Sequence, residues 1–224
     1  MTYVFDEDAG KPDLLIKGES YKYLIKVRRH IAGDMLAFRS PKNSESLHLY
    51  KIVSVDGRQA RLELSESRSE RVEHNHNLHI GWCVIDGKSV EKVLPLLNEL
   101  GVAKITFIQA ERSQKNFKPD FKRYERILMS SMQQCGRSTM MEFETAESVE
   151  QFLKTNPDTV VFDFCDQVFD AAKPRPETVV IGPEGGFSDT ERALFEPGNV
   201  YRLDTPMILR SETAAVALSS KILL

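Results

Sequence analysis

The chain has 224 residues, 41% of them hydrophobic, and a formal net charge of −3. This length is enough for one large or two small domains with a substantial apolar core. No run of eighteen apolar residues occurs, which predicts no membrane-spanning helix, and the acidic start MTYVFDEDAG predicts no signal peptide. The cysteines, Cys83, Cys135 and Cys165, are odd in number and widely spaced, so we expect reduced thiols in the cytoplasm rather than disulfides or zinc.

The first seventy or so residues have the pattern of short strands. The segments DMLAFRS, SLHLYKIVSV and RQARLELSE alternate in polarity, and Asp56-Gly57 predicts a hairpin between the last two. Before them, ESYKYLIKVRRH predicts a short helix ending at Gly33. These elements predict a small β-barrel-like module. The polar stretch SESRSERVEHNHN then indicates a linker, with the domain boundary near residues 67–78.

His74, His76 and His79 form an H-x-H-x-x-H pattern at this boundary. Metal binding needs ligands in fixed geometry with supporting partners, which a polar linker seldom supplies. We therefore predict no metal site there.

From His79 onward, strands alternate with helices. HIGWCVI predicts a strand, and SVEKVLPLLNELG predicts a helix with Gly101 as its C-cap. The later segments read, in order, as AKITFIQ (strand), PDFKRYERILMSSMQQ (helix), SVEQFLKT (helix), DTVVFDFC (strand), TVVIG (strand), SDTERALF (helix), VYRL (strand) and SETAAVALSSKILL (helix). This alternation predicts an α/β domain whose parallel sheet is covered on both faces.

Basic residues are concentrated in one part of the chain. Between Arg112 and Arg137, Lys and Arg outnumber Asp and Glu by seven to two, whereas acidic residues dominate from Met140 onward. Such a band can attract the phosphates of a nucleic acid, or it can be an ordinary solvated helix face. Charge alone does not choose between the two.

Two strand–loop–helix junctions follow each other near the C-terminus, in IGPEGGFSDTE and LDTPMILRSETA. In open α/β sheets, ligands bind in the loops that follow the carboxyl ends of strands. Gly182, Gly185 and Gly186 would let the backbone approach a ligand closely, and Ser188 with Glu191 predicts a capping box. The phosphate-binding G-x-x-x-x-G-K-[ST] and dinucleotide-binding G-x-G-x-x-G fingerprints are missing from the sequence, as are G-x-S-x-G and H-E-x-x-H.

The pair IGPEGGFSDTE and LRSETA resembles the SPOUT-type RNA methyltransferases that make N3-methyluridine in small-subunit ribosomal RNA. The resemblance extends over nearly the whole chain, with further matches at Glu111–Ser113, Gln133–Arg137 and Val27–Asp34. The sequence departs from the family pattern in several places: Lys22-Tyr23 in place of a histidine, Arg28 in place of a leucine, Thr205-Pro206-Met207 before the second junction, and Met140-Met141 in place of a proline.

This resemblance implies a fold and an assembly. The expected fold is a parallel-sheet domain with a trefoil knot at residues 73–224, preceded by a PUA-like β-barrel that binds RNA at residues 1–72. The expected protein is a homodimer whose C-terminal helix, SETAAVALSSKILL, packs against its partner. The implied substrate is ribosomal RNA, within an assembled small subunit. The small residues of that helix, among them Ala214 and Ser219, are equally typical of a simple buried helix.

The resemblance also implies S-adenosylmethionine as cofactor and an active site without a metal. The residues expected to bind the cofactor are Phe164, Cys165, Ile181, Gly182, Gly186, Leu203, Leu209, Ser211 and Thr213. Arg210 is the expected catalytic cation. Glu184 is the candidate general base, with a role in the rigidity of its loop as an equal alternative. Several alternatives stay open: Phe164 and Cys165 can simply end a core strand, Ser211 or Thr213 can cap a helix, and Arg210 can form a structural ion pair with Glu184 or Glu212.

The residues expected to contact RNA are Arg28, Arg29, Arg112, Lys115, Arg126, Gln134 and Arg137. Two other functions remain open at this point. One is a knotted methyltransferase with another target, such as the ribose 2′-hydroxyl of tRNA. The other is a non-catalytic RNA-binding protein of ribosome assembly.

Overall fold

A computed structural model describes residues 2–114, 118–170 and 175–224. The chain divides into two compact units. The N-terminal unit comprises residues 1–73 together with 132–139, and the C-terminal unit comprises residues 74–131 and 140–224. None of the helices in the described ranges is both long and apolar enough to cross a bilayer.

The N-terminal unit contains a five-stranded sheet of β1 (Val4–Phe5), β2 (Asp13–Lys17), β3 (Met35–Ser40), β4 (Asn43–Val55) and β5 (Gln59–Ser69). The strand order is β1-β3-β4-β5-β2, with β1 parallel to β3 and the other pairs antiparallel. The predicted hairpin is confirmed, since β4 pairs with β5 across the Asp56 turn. Because β1 and β2 do not pair, the sheet is a curled half-barrel rather than a closed barrel.

The predicted helix before Gly33 ends earlier than expected. Helix α1 (Gly18–Tyr21) continues as a π-helical segment, Lys22–Val27, and Arg29 then adopts a left-handed conformation with φ of 62°. The segment's apolar side chains, Tyr21, Leu24 and Ile25, are buried on the sheet. Gly33 instead lies in the turn before β3, where its amide donates to the carbonyl of Ile52 in β4 at 2.8 Å.

The C-terminal unit contains a six-stranded sheet in the order β11-β9-β10-β6-β7-β8, and every neighbouring pair is parallel. Its strands are β6 (His79–Cys83), β7 (Lys104–Ile108), β8 (Glu142–Ala146), β9 (Val160–Phe162), β10 (Thr178–Ile181) and β11 (Val200–Tyr201). The predicted parallel α/β sheet is thus confirmed. The sequence pattern missed β8, an edge strand with no buried residue, and it overestimated the lengths of β9 and β11.

Helices cover both faces of this sheet. They are α2 (Gly87–Leu100), α3 (Phe121–Cys135), α4 (Val149–Thr155), α5 (Asp189–Arg192) and α6 (Ser211–Leu223). Trp82 and Ile181 belong to the cluster that includes residues of α2, α3 and α6. Val180 points to the opposite face, with Phe152 of α4 and Phe187. This alternation of adjacent residues is the period of a strand buried on both sides.

Gly101 ends α2 as predicted, in a left-handed conformation with φ of 98°. A Cβ atom at this position would lie 2.7 Å from the Cβ of His74. We therefore expect Gly101→Ala to lower the free energy of unfolding by about 1–3 kcal/mol, through backbone strain and this clash. Urea denaturation measures the change. Gly198→Ala is the matched control, since Gly198 has space for a methyl group and no positive φ. Equal losses in the two variants would contradict the explanation.

Candidate functional site

A cavity of about 320 Å³ opens at the carboxyl ends of β9 and β10 and beside the segment after β11. Three loops form its walls, at residues 162–164, 181–186 and 202–211. The two junctions singled out in the sequence therefore meet at one cavity. The turn after β9 completes it.

The first junction turns tightly after β10. The amide of Gly186 donates to the carbonyl of Pro183 at 2.9 Å, and Gly186 has a φ of 66°. A Cβ atom on Gly182 would lie only 3.0 Å from the ring of Phe187. The predicted capping box is confirmed, because Ser188 and Glu191 cap each other's backbone amides at 3.1 and 2.9 Å. The helix that follows is shorter than predicted and spans Asp189–Arg192.

The second junction is tied to the sheet by a buried hydroxyl. Ser211 Oγ accepts a hydrogen bond from Trp82 Nε1 at 2.9 Å and donates to the carbonyl of Gly182 at 2.9 Å. Neither Ser211 nor Thr213 caps α6, whose N-cap is Arg210 without a side-chain bond. The capping alternative was therefore wrong. The hydroxyl of Ser211 is already used in joining β6 to the first junction.

Arg210 and Glu184, the candidate catalytic residues, both line the cavity and are exposed. Within the described ranges no ion pair joins Arg210 to Glu184 or to Glu212. The structural ion pair considered from the sequence does not form. The guanidinium of Arg210 is thus available to a ligand.

Most of the predicted cofactor residues lie in the cavity wall. They are Phe164, Ile181, Gly182, Gly186, Leu203, Leu209 and Ser211. Cys165 and Thr213 do not line it. The thiol of Cys165 instead donates to the carbonyls of Gln167 and Val200, at 3.5 and 3.6 Å. Thr213 lies on the exposed side of α6, one residue short of the cavity-lining Ala214.

Sequence reasoning missed several wall residues, among them Asp163, Arg202, Met207 and Ile208. Met207 and Ile208 are 71% and 81% exposed, which is unusual for large apolar side chains. Their position directly after Pro206, in a loop between a strand and a helix, was a signal for exposure. The sequence gives no such signal for Asp163, because its position depends on an ion pair with Arg192, which lies 29 residues later. The Asp163 side chain is 6% exposed.

Two members of the predicted RNA-binding set are engaged within the protein. Arg112 Nη1 donates to the carbonyls of Gly185 and Phe187. Arg137 is 7% exposed, and its Nε donates to Thr139 Oγ1 at 3.2 Å. Burial lowers the pKa of Arg137. Arg137 is therefore not part of an exposed basic surface.

Four other members of that set are exposed, namely Arg28, Arg29 and Gln134 in the N-terminal unit and Arg126 in the C-terminal unit. Arg28 lies 5.4 Å from the centre of the Tyr23 ring, and its Nε donates to the Tyr23 hydroxyl at 2.9 Å. Lys115 lies outside the described residues.

The three histidines at the domain boundary have separate partners. The Nε2 atoms of His74, His76 and His79 lie 2.7–2.9 Å from the carbonyls of Leu223 and Pro176 and from Thr106 Oγ1, respectively. Burial lowers the pKa of His79 to about 4. In the described ranges no three His, Cys, Asp or Glu residues are grouped so that they could hold a metal.

Comparison with known proteins gives the family. Residues 72–223 match the RNA methyltransferase domain family. The chain is 37% identical over 223 residues to the ribosomal RNA small subunit methyltransferase E of Helicobacter pylori strain 26695, covering 98% of both chains. It is 25% identical to the protein of that name from Aquifex aeolicus, with 97% of each chain covered.

Solved structures share the fold. A Legionella pneumophila protein, solved in complex with the bound cofactor SAM, superposes with a TM-score of 0.74 at 24% identity, over 98% of this chain and 96% of that one. The ribosomal RNA small subunit methyltransferase E of Neisseria gonorrhoeae gives a TM-score of 0.73 at 18% identity, over 98% and 95%. On the sequence matches, the chain belongs to the RNA methyltransferase family and, within it, to the ribosomal RNA small subunit methyltransferase E proteins.

Proposed function

We propose that this protein transfers a methyl group from S-adenosylmethionine to N3 of a uridine in the RNA of the small ribosomal subunit. The observation that carries the proposal is the single cavity formed by the three strand-end loops, with the exposed Arg210 at its wall. Family membership supports the reaction class.

The cavity suits this cofactor. Its volume, about 320 Å³, lies within the range of small-molecule sites. Apolar side chains such as Leu203 and Leu209 offer walls for an adenine ring, while the loop around Gly182 brings backbone groups to the surface of the cavity. Phe164, Ile181, Gly186 and Ser211 complete the proposed binding set. When bound, the cofactor supplies an electrophilic methyl group, and no metal is required.

The protein's own task is to position the base and to stabilise the charge that changes during transfer. The proton on uracil N3 must leave, and the base then carries negative charge. We assign its stabilisation to the exposed guanidinium of Arg210, which, among the residues that the structure describes, pairs with neither Glu184 nor Glu212. Glu184, exposed at the same wall, is the proposed general base.

We propose that RNA binds to exposed basic residues of both units: Arg28 and Arg29 in the N-terminal unit and Arg126 on α3. The exposed amide of Gln134 is a candidate for reading a base edge. These residues would position the RNA through phosphates, whereas the cavity would select the base.

Arg126→Ala should weaken RNA binding and make the salt dependence of the association constant shallower by about one unit of slope, because one phosphate contact is lost. Titration of an rRNA fragment at several salt concentrations measures both quantities. Lys154→Ala is the control, since Lys154 is already paired with Glu150. A slope for Arg126→Ala equal to that of Lys154→Ala would remove α3 from the proposed RNA surface.

We propose that residues 73–224 form a methyltransferase domain with a trefoil knot, and that residues 1–72 act as a PUA-like RNA-binding module. Family membership supports the knot. We further propose a cytoplasmic homodimer that acts on the assembled small subunit.

Mapping of modified nucleosides in a deletion strain tests the substrate. The proposal predicts that small-subunit rRNA loses one N3-methyluridine and regains it when the wild-type gene is restored. Loss of a ribose methyl from tRNA would favour the alternative target. Unchanged methylation of all RNAs would favour a non-catalytic assembly protein.

A further inference from the structure

A charged side chain outside the cavity holds one of its walls. Arg112, in the loop after β7, donates two hydrogen bonds from Nη1, to the carbonyl of Gly185 at 3.1 Å and to that of Phe187 at 3.2 Å. The close approach depends on glycine, since a Cβ atom on Gly185 would lie 3.2 Å from the Cβ of Arg112. Both acceptors belong to the turn that carries Glu184 and Gly186 into the cavity.

Glu191 joins the same two loops a second time. Its side chain is buried, and each carboxylate oxygen accepts one backbone amide: Oε1 from Glu111 and Oε2 from Ser188, both at 2.9 Å. Glu111 directly precedes Arg112. Two side chains of opposite charge therefore join the loop after β7 to the segment after β10. Arg112 of the first donates to carbonyls of the second, and Glu191 of the second accepts an amide of the first.

Arg192 brings in the third loop. Its guanidinium binds both carboxylate oxygens of Asp163, with Nε at 2.7 Å and Nη2 at 3.2 Å. Asp163 lines the cavity immediately after β9, whereas Arg112, Glu191 and Arg192 do not line it. The short helix α5 thus links the loops after β7, β9 and β10.

We infer that Arg112, Glu191 and Arg192 are positioning residues, which hold the cavity walls in the shape that S-adenosylmethionine requires. We call the hydrogen bonds and the ion pair made by these three side chains the clasp. The inference rests on the proposed function for the identity of the ligand, but the existence of the clasp does not depend on that function. Preorganised walls bind more tightly because less freedom is lost on binding. The sequence alone suggested that Arg112 contacts RNA phosphate, yet both hydrogens of Nη1 are directed to protein carbonyls.

Arg112→Lys separates these two roles. Lysine keeps the charge needed for a phosphate contact, but its shorter side chain lacks the guanidinium that reaches both carbonyls. Glu191→Gln is the companion variant: it keeps the size of the side chain but places an amide N–H against a backbone N–H. Arg175→Lys is the matched control, because Arg175 is exposed and lies outside the three loops.

Hydrogen exchange without cofactor measures the clasp directly. We expect amides in residues 182–192 to exchange about tenfold faster in Arg112→Lys and in Glu191→Gln, and unchanged in Arg175→Lys. This readout does not depend on the proposed function. Exchange at the wild-type rate in both Arg112→Lys and Glu191→Gln would overturn the inference even if the protein methylates RNA.

Calorimetry and RNA titration complete the test. We expect the dissociation constant for S-adenosylmethionine to rise about tenfold in Arg112→Lys, with RNA affinity and its salt slope unchanged. Two results together would overturn the inference in favour of a phosphate contact. Arg112→Lys would bind the cofactor with wild-type affinity, and Arg112→Ala, but not Arg112→Lys, would bind RNA more weakly and with a shallower salt slope. Failure of the wild-type protein to bind the cofactor would refute the proposed function, and with it the stated ligand of the clasp.

Discussion

We expect Arg210→Ala to slow methyl transfer about 10²–10³-fold. Effects of this size are seen when one preorganised donor to developing negative charge is removed. The reason is that Arg210 lines the cavity, is exposed and has no ion pair with Glu184 or Glu212. It is therefore free to stabilise a deprotonated uracil. Single-turnover transfer with saturating cofactor and saturating small subunits measures the step without the contribution of product release.

Two measurements make this result specific. Calorimetry should give the same cofactor affinity in Arg210→Ala as in the wild type, and the thermal unfolding temperature should be unchanged, because Arg210 is exposed and pairs with neither Glu184 nor Glu212 in the described part of the chain. Arg175→Ala, which removes an exposed arginine elsewhere in the C-terminal unit, should transfer methyl groups at the wild-type rate. A near-normal rate in Arg210→Ala would exclude this residue from the reaction.

Ser211→Ala should destabilise the protein by about 1–3 kcal/mol, because it leaves the buried Nε1 of Trp82 without its acceptor and also removes the donor to the half-buried carbonyl of Gly182. The hydroxyl accepts a hydrogen bond from Trp82 Nε1 and donates one to the carbonyl of Gly182, and Trp82 is fully buried. Guanidinium denaturation measures the loss. Because Gly182 lines the cavity, cofactor affinity should also fall in the folded variant.

Ser219→Ala provides the matched comparison in the same helix. Ser219 is also buried, and its hydroxyl donates to the carbonyl of Ala215, four residues earlier in α6. That loss should be about 1 kcal/mol or less. Equal destabilisation in the two serine variants would mean that the bridge from β6 to the first junction contributes nothing beyond an ordinary buried hydroxyl.

The parallel sheet was predictable because its buried strands have a strong signal. HIGWCV and TVVIG are apolar on both faces, which is typical of strands covered by helices on each side. β8 lacked this signal, since an edge strand needs to bury little. The early end of the helix at Val27 was also unpredictable, because the left-handed conformation of Arg29 just after it is uncommon for a residue other than glycine.

The candidate site was predictable in its location but less so in its individual roles. Glycines, a capping serine and an apolar strand end identify the two loops, since each has a local conformational cause. The partner of a polar side chain depends on residues far away in sequence. Arg112 donates to carbonyls more than seventy positions later, and Ser211 accepts a hydrogen bond from Trp82. These partners could be identified only from the three-dimensional structure.

The central claim is that three strand-end loops hold S-adenosylmethionine in one cavity, and a crystal structure of the complex tests it most directly. The account predicts the nucleoside between Phe164, Gly182 and Leu209, with its methyl group facing the side of the cavity that carries Arg210. A nucleoside bound at another surface, or no binding at saturating concentration, would contradict it.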